Sequence, residues 1–173
     1  MAGLYIITGA MAAGKSTVAR ALVERYDRAA HVGGDAFLHM IARGRAVMGP
    51  VLDAEAVSQL RLRQDIAMDT VRRFVGAGFT TVYQDILIGE DLIRITHELS
   101  DLQPRVVVLN PTVEVLSRRD QQRSKTGYNE GFPASVLSKA LQQLTPRDGL
   151  WLDTSQMTVE DTVDAIISAY GTG

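Results

Sequence analysis

GAMAAGKST, residues 9–17, matches G-x-x-x-x-G-K-[ST] at every required position. A continuous apolar run, LYIIT (4–8), comes before it. After it, Val18, Ala19, Leu22, Val23 and Tyr26 recur at helical spacing. A buried strand that feeds a glycine-bracketed loop, which in turn opens a helix, is the setting in which this pattern binds phosphate. Gly9 and Gly14 permit backbone angles and close approaches denied to larger residues. Backbone N–H groups of Ala10, Met11, Ala12, Ala13 and onward to Ser16 can then turn inward around an anion. The helix dipole adds to the attraction. In this setting Lys15 reaches the β- and γ-phosphates, Ser16 ligates Mg²⁺ and Thr17 meets the α-phosphate. The loop predicts a nucleoside triphosphate but does not separate an ATPase, a GTPase switch and a kinase.

Outward from the loop, strands and helices alternate. AAHVGGD (29–35) reads as a short strand ending in a glycine turn, with a helix expected from Phe37 to Met48 and a break at GP (49–50). A long helix is expected over 53–75, closed by GAG at 76–78. FTTVYQDIL (79–87), RVVVLN (105–110) and GLWLDT (149–154) read as further strands. Helices are expected over GEDLIRITHELSD, from about Thr112, over PASVLSKALQQL, and from Thr158, where Asp161 three residues on makes a capping box. The pattern predicts one α/β domain over residues 1–173: a three-layer phosphate-loop fold with a five-stranded, mostly parallel sheet and helices on both faces. Ligands in such sheets bind at the carboxyl ends of the strands.

Composition narrows the classes. The formal net charge of −2 argues against a broad nucleic-acid footprint. With no cysteine, disulfides, thiolate metal sites and a cysteine nucleophile are excluded. No apolar run reaches membrane-spanning length, so a cytoplasmic protein is the expectation. Only three lysines occur, Lys15, Lys125 and Lys139, in a chain that otherwise uses arginine.

Two aspartates belong to the same sheet edge. Asp35 ends HVGGD, where Gly33 and Gly34 are expected to leave room for a ligand. Its carboxylate is placed to accept a proton from a substrate hydroxyl or, as an alternative, to cap a helix. Asp85 ends TTVYQD, the place of an acid that holds Mg²⁺ or its waters, or that contacts substrate; Gln84 before it is polar where an apolar residue is usual. Phe37, with Leu38, His39, Met40, Ile41 and Met48, is a candidate acceptor-pocket wall, with the core as the other reading. His31 and His97 lack metal-ligand spacing. Neither DxxG nor NKxD stands where a GTPase needs it, and HRD and DFG are absent.

Within the polar segment 117–131, residues 118–125 carry Arg118, Arg119, Arg123 and Lys125 against Asp120. A positive clamp closing over transferring phosphate stabilises its charge and excludes water. Arg119 and Arg123, four apart, are expected on one helix face, and SKTGYNEG after them reads as a movable lid. The loop with Thr154 and Ser155 follows the last strand and is expected to pack on a nucleotide base near Arg119.

These blocks in this order, GAMAAGKST, GGDAF, AGFTTVYQDILIG, RRDQQR and WLDTSQMTVEDTVDAI, resemble the small P-loop kinases of the nucleoside-monophosphate-kinase fold over nearly the whole chain. Shikimate, gluconate and adenylylsulfate kinases belong there, and the strongest similarity is to chloramphenicol phosphotransferase-like proteins. The resemblance implies a monomer or homodimer that moves the γ-phosphate of ATP, with Mg²⁺, to a hydroxyl of a small molecule, an antibiotic among the candidates. It makes Asp35 the base, Lys15 and Ser16 the phosphate and metal contacts, and Arg119 and Arg123 the lid. Gln84 departs from an acid pair in those relatives. Others of these relatives use arginines to grip a substrate carboxylate; Arg61 and Arg63 are candidates for that role, but a spacing of two puts them on different helix faces, so at most one is expected to face inward. A polynucleotide or nucleoside kinase and a non-catalytic nucleotide-binding module are the competing readings.

Overall fold

The computed structural model describes residues 2–46, 53–123 and 127–171. Five strands, β1 (Leu4–Gly9), β2 (Ala29–Gly33), β3 (Thr80–Gln84), β4 (Arg105–Leu109) and β5 (Leu150–Leu152), form one sheet in the order β2-β3-β1-β4-β5. Every pairing is parallel, so the expected mostly parallel sheet is wholly so. The helices are α1 (Lys15–Val23), α2 (Gly34–Met40), α3 (Ala54–Gly76), α4 (Glu90–Glu98), α5 (Val113–Gln121), α6 (Ala134–Leu144) and α7 (Val159–Tyr170).

The apolar run of β1 has no polar alternation because both faces are covered. Tyr5 and Ile7 join a core with Val18, Leu22, Val107, Leu109 and Val163 on one side. Leu4 and Ile6 join Val32, Val71, Tyr83 and Ile95 on the other. All four β1 residues are at most 1% exposed. The capping box expected on α7 is present, with Thr158 and Asp161 bonded reciprocally, and Asp53 caps α3 by accepting from Ala56 N at 2.6 Å.

One helix departs from expectation. α2 begins at Gly34 rather than Phe37 and ends at Met40, where Ile41 turns to an extended backbone. The start moves because β2 runs directly into the helix with Gly33 as N-cap. Met48, Gly49, Pro50 and Lys125 lie outside the described residues. Among the described residues, no helix is long and apolar enough to cross a membrane.

Candidate active site

The first turn after β1 is the phosphate loop. Gly9 is required by proximity: a Cβ there would stand 2.5 Å from the Leu109 carbonyl oxygen of β4. Gly14 has φ 95°, the left-handed region, and hands the chain to α1. Ala12 takes φ 65° without being glycine, an arrangement that persists only when its surroundings hold it. The loop carbonyls are indeed held. Lys15 Nζ donates to Ala10 O at 2.9 Å, Tyr128 Oη to Met11 O at 2.6 Å, and Arg119 Nη1 to Ala13 O at 3.3 Å.

A cavity of about 370 Å³ opens over this loop at the carboxyl edge of the sheet, within the range of ligand pockets. Met11, Ala12, Gly14, Lys15, Ser16 and Thr17 line one side, Asp35, Gln84, Asp85 and Ile86 another, and Arg119 and Arg123 close it. Lys15, Ser16, Asp35, Asp85, Arg119 and Arg123, separate in the sequence, therefore share one space. Ala10 and Ala13 are 1% exposed and contribute backbone rather than lining.

Electrostatics mark the same group. Burial lowers the Lys15 amine to about 8, against the opposing pull of the Asp85 and Asp35 carboxylates, and Arg123 lowers it further. Burial raises the Asp85 carboxyl, opposed by the Ile86 N–H, Lys15 and Arg63, while Asp35 adds to the rise. Each partner of this pair leans toward its neutral form because little water reaches it. A bound polyanion would raise the Lys15 amine back toward its ordinary value, and a bound cation would lower the Asp85 carboxyl back toward its own.

Asp85 stands just past β3, with its Oδ1 accepting from Ile86 N at 2.8 Å. Its carboxylate occupies the space a Cβ on Gly34 would take. The expectation that Gly34 leaves room for a ligand is therefore corrected: the room is filled by Asp85. At Gly33 an added Cβ would lie 3.0 Å from Gln84 Nε2.

Phe37 is also corrected. It is 8% exposed and packs with Val32, Met68 and Tyr83 in the core, not in the cavity wall. The apolar face of a two-turn helix laid on the sheet has to point inward, and Phe37 is on it. Met40 is 69% exposed, and His39 turns its Nδ1 back on the Asp35 carbonyl at 2.6 Å, so neither lines the cavity. Of the two α3 arginines, Arg63 is buried and Arg61 exposed, as the spacing requires.

Arg119 and Arg123 reach the cavity, but not from one helix face. α5 ends at Gln121, and Arg123 sits on the following turn, where its backbone N–H donates to Asp120 O at 3.1 Å. Arg119 Nη2 also donates to Thr154 O at 2.9 Å, which brings the β5–α7 loop to the rim. Thr154 is 3% exposed and its Oγ1 has no partner among the described residues. Ser155 Oγ accepts from Thr112 N at 2.9 Å and braces the start of α5. Arg119 thus meets Thr154 at the rim, and neither Thr154 nor Ser155 lines the cavity over the phosphate loop.

Several contributors escaped the sequence reading. Thr8 Oγ1 donates to Leu87 O at 2.7 Å and accepts from Leu87 N at 2.9 Å, clamping the Asp85 segment to the loop's entry strand. Its one sequence signal is a hydroxyl closing a fully buried strand. Gln84, noted above only as a departure, lines the cavity while 5% exposed. Asp120, counted above only as a charge, is 2% exposed and accepts from Gly127 N and Tyr128 N. Tyr128 carries no local signal, because its partner Met11 is 117 residues away.

The sheet order, the phosphate loop and the shared cavity define an α/β P-loop fold of the kinase kind. The sequence profile of the AAA domain family matches residues 4–147, and the chain belongs to that family. Among solved structures, a tunicamycin resistance protein from Deinococcus radiodurans is similar at TM-score 0.73 and 14% identity, over 100% of this chain and 98% of that one. A shikimate kinase from Bacteroides thetaiotaomicron is similar at TM-score 0.67 and 15% identity, over 96% and 97%. A gluconokinase from Sinorhizobium meliloti 1021 is similar at TM-score 0.63 and 17% identity, over 96% and 90%. At these identities the likeness is one of fold. No curated protein sequence matches the chain.

Proposed function

We propose that this chain is an ATP-dependent phosphotransferase that moves the γ-phosphate to a hydroxyl of a small molecule. One observation carries the reading. Asp35, on the first turn of α2, borders the same cavity as Lys15, Ser16 and Arg123. A phosphate held by the loop and a hydroxyl beside Asp35 would share that space.

The residues fit a nucleoside triphosphate and Mg²⁺. The loop's carbonyls at Ala10, Met11 and Ala13 are turned to side-chain donors, and three basic groups, Lys15, Arg119 and Arg123, face the cavity. Among the described residues no three acidic or histidine side chains gather into a metal cage. A cation would therefore be held by the Ser16 hydroxyl, the Asp85 carboxylate and the phosphates themselves. When bound, it neutralises charge on the phosphate oxygens. Asp35 takes the proton of the attacking hydroxyl. Lys15 and Arg123 stabilise charge on the transferring group, and Arg119 holds the rim closed between Ala13 and Thr154.

With Phe37 in the core, the acceptor side of the cavity carries Gln84, Asp85 and Ile86, a mixed surface suited to a polyhydroxylated molecule with a modest apolar part. A hydroxylated antibiotic meets that description better than a bare sugar acid, whose carboxylate would face Asp85. The resemblance to chloramphenicol phosphotransferase-like proteins and the fold likeness to a tunicamycin resistance protein support testing antibiotics first. A coupled ADP-release assay over hydroxylated antibiotics, nucleosides, sugar acids and oligonucleotides tests the reading. Acceptor-dependent release with a small molecule is the expected result. Turnover with oligonucleotides alone would make the chain a polynucleotide kinase. Nucleotide binding with no acceptor-dependent ADP release from any acceptor class would make it a nucleotide-binding module.

A further inference from the structure

The segment after α5 does more than supply arginines. Tyr128 donates its hydroxyl to Met11 O at 2.6 Å, across 117 residues of chain. Asp120, 2% exposed on the last turn of α5, fixes Tyr128 in place. Its Oδ1 and Oδ2 accept from Gly127 N at 3.1 and 3.0 Å, and Oδ2 also accepts from Tyr128 N at 3.0 Å. Gly127 has no side chain because the Met11 thioether occupies the volume a Cβ would need. Two contacts, one polar and one apolar, therefore join the same residue of the phosphate loop to the same pair of residues in the lid.

The polar contact has a geometric consequence. A trans peptide directs its C=O and the following N–H in opposite senses. A hydroxyl that holds the Met11 carbonyl therefore aims the Ala12 N–H the other way. Met11 and Ala12 both line the cavity, and Ala12 is held at φ 65°, so this peptide sits at a left-handed turn of the anion-binding loop that no glycine relieves. The neighbouring carbonyls of Ala10 and Ala13 have their own side-chain donors, Lys15 and Arg119. Met11 O is the one whose donor comes from beyond α5, and its peptide leads into Ala12, the loop's left-handed residue that is not a glycine.

We propose that Tyr128, anchored by Asp120, is a positioning residue that presets the phosphate loop for nucleotide. It holds the Met11–Ala12 peptide with its N–H toward the phosphates, and so makes loop geometry depend on the seating of the lid segment. The proposal rests on the nucleotide-binding reading above. It predicts an effect on ligands that carry a β-phosphate, whereas a purely structural tyrosine would affect stability alone.

The test is calorimetric binding of ADP and inorganic pyrophosphate to wild-type protein and to Tyr128→Phe, which keeps the ring packed on the core. Loss of the hydroxyl should weaken both ligands about fivefold to tenfold. The thermal midpoint of the ligand-free protein should stay close to wild type. A second pair of variants is independent of the hydroxyl. Gly127→Ala should weaken ADP binding by pushing the lid segment off Met11, and Met11→Ala in the same chain should restore it by making room. Wild-type affinity for ADP and pyrophosphate in Tyr128→Phe, or no rescue of Gly127→Ala by Met11→Ala, would overturn the positioning role. Wild-type protein that bound neither ligand would overturn the nucleotide reading and the latch with it.

Discussion

The Asp85 carboxylate lies against the Cα of Gly34, in the space any side chain there would fill. This contact joins the end of β3 to the start of α2, and so fixes how Asp85 and Asp35 stand relative to each other at the cavity. Gly34→Ala should force the two elements apart, at a cost of about 1–3 kcal/mol typical of overpacking. Urea denaturation measures the loss. Asp85→Ala in the same chain should recover most of that stability without recovering turnover. A Gly34→Ala protein as stable as wild type would show that the two elements move apart freely.

Asp35→Asn keeps the size of the side chain and removes its basicity. Once an acceptor is known, turnover should fall about 10²- to 10⁴-fold, the range of a lost general base. ADP affinity should hold, because Asp35 lies on the acceptor side of the cavity. Full acceptor-dependent turnover in this variant would remove the base assignment.

The Lys15 amine, lowered to about 8 by burial, gives a pH signature. Bound phosphate favours the ammonium and raises that value. Between the free and bound values the free amine is neutral and the bound one charged, so ADP binding takes up a proton. Affinity should therefore fall as pH rises above 8, by at most about tenfold per unit. Calorimetry at pH 9 in buffers of different ionisation enthalpy reads the uptake directly, and Lys15→Met should abolish it. Proton-neutral ADP binding by wild type at pH 9 would mean the amine is already charged in the free protein.

Thr8→Val replaces the clamp hydroxyl with a methyl of similar shape. Both the N–H and the C=O of Leu87 would lose a partner at a position that is 0% exposed. The expected loss is about 1–3 kcal/mol, read from chemical denaturation. Acceptor-dependent turnover should drop as well, since Asp85 is two residues from Leu87. A stability change within error would mean the segment is held by packing alone.

Much of this site was legible in the chain because its parts are local. The loop GAMAAGKST carries its own glycines, lysine and helix start within nine residues. The buried strands read as unbroken apolar runs because a parallel sheet covered on both faces leaves no polar alternation. Asp35 and Asp85 could be placed at one edge because the strands run parallel and end together. The start of α2 was less legible: β2 passes straight into the helix at Gly33–Gly34, which looks like a turn in sequence.

By itself, then, the sequence determined the strand–loop–helix that binds phosphate, the alternating α/β order and the acids at the strand ends, all set by neighbours a few residues apart. The tertiary structure alone decided what fills the space around them. It put Phe37 in the core, gave the room beside Gly34 to Asp85, set Arg123 on a turn past α5, and brought Tyr128 onto Met11 and Thr8 onto Leu87. Those outcomes depend on which surfaces meet when distant elements pack at close density, and residue type at one position does not encode the distance to a partner 79 or 117 residues away.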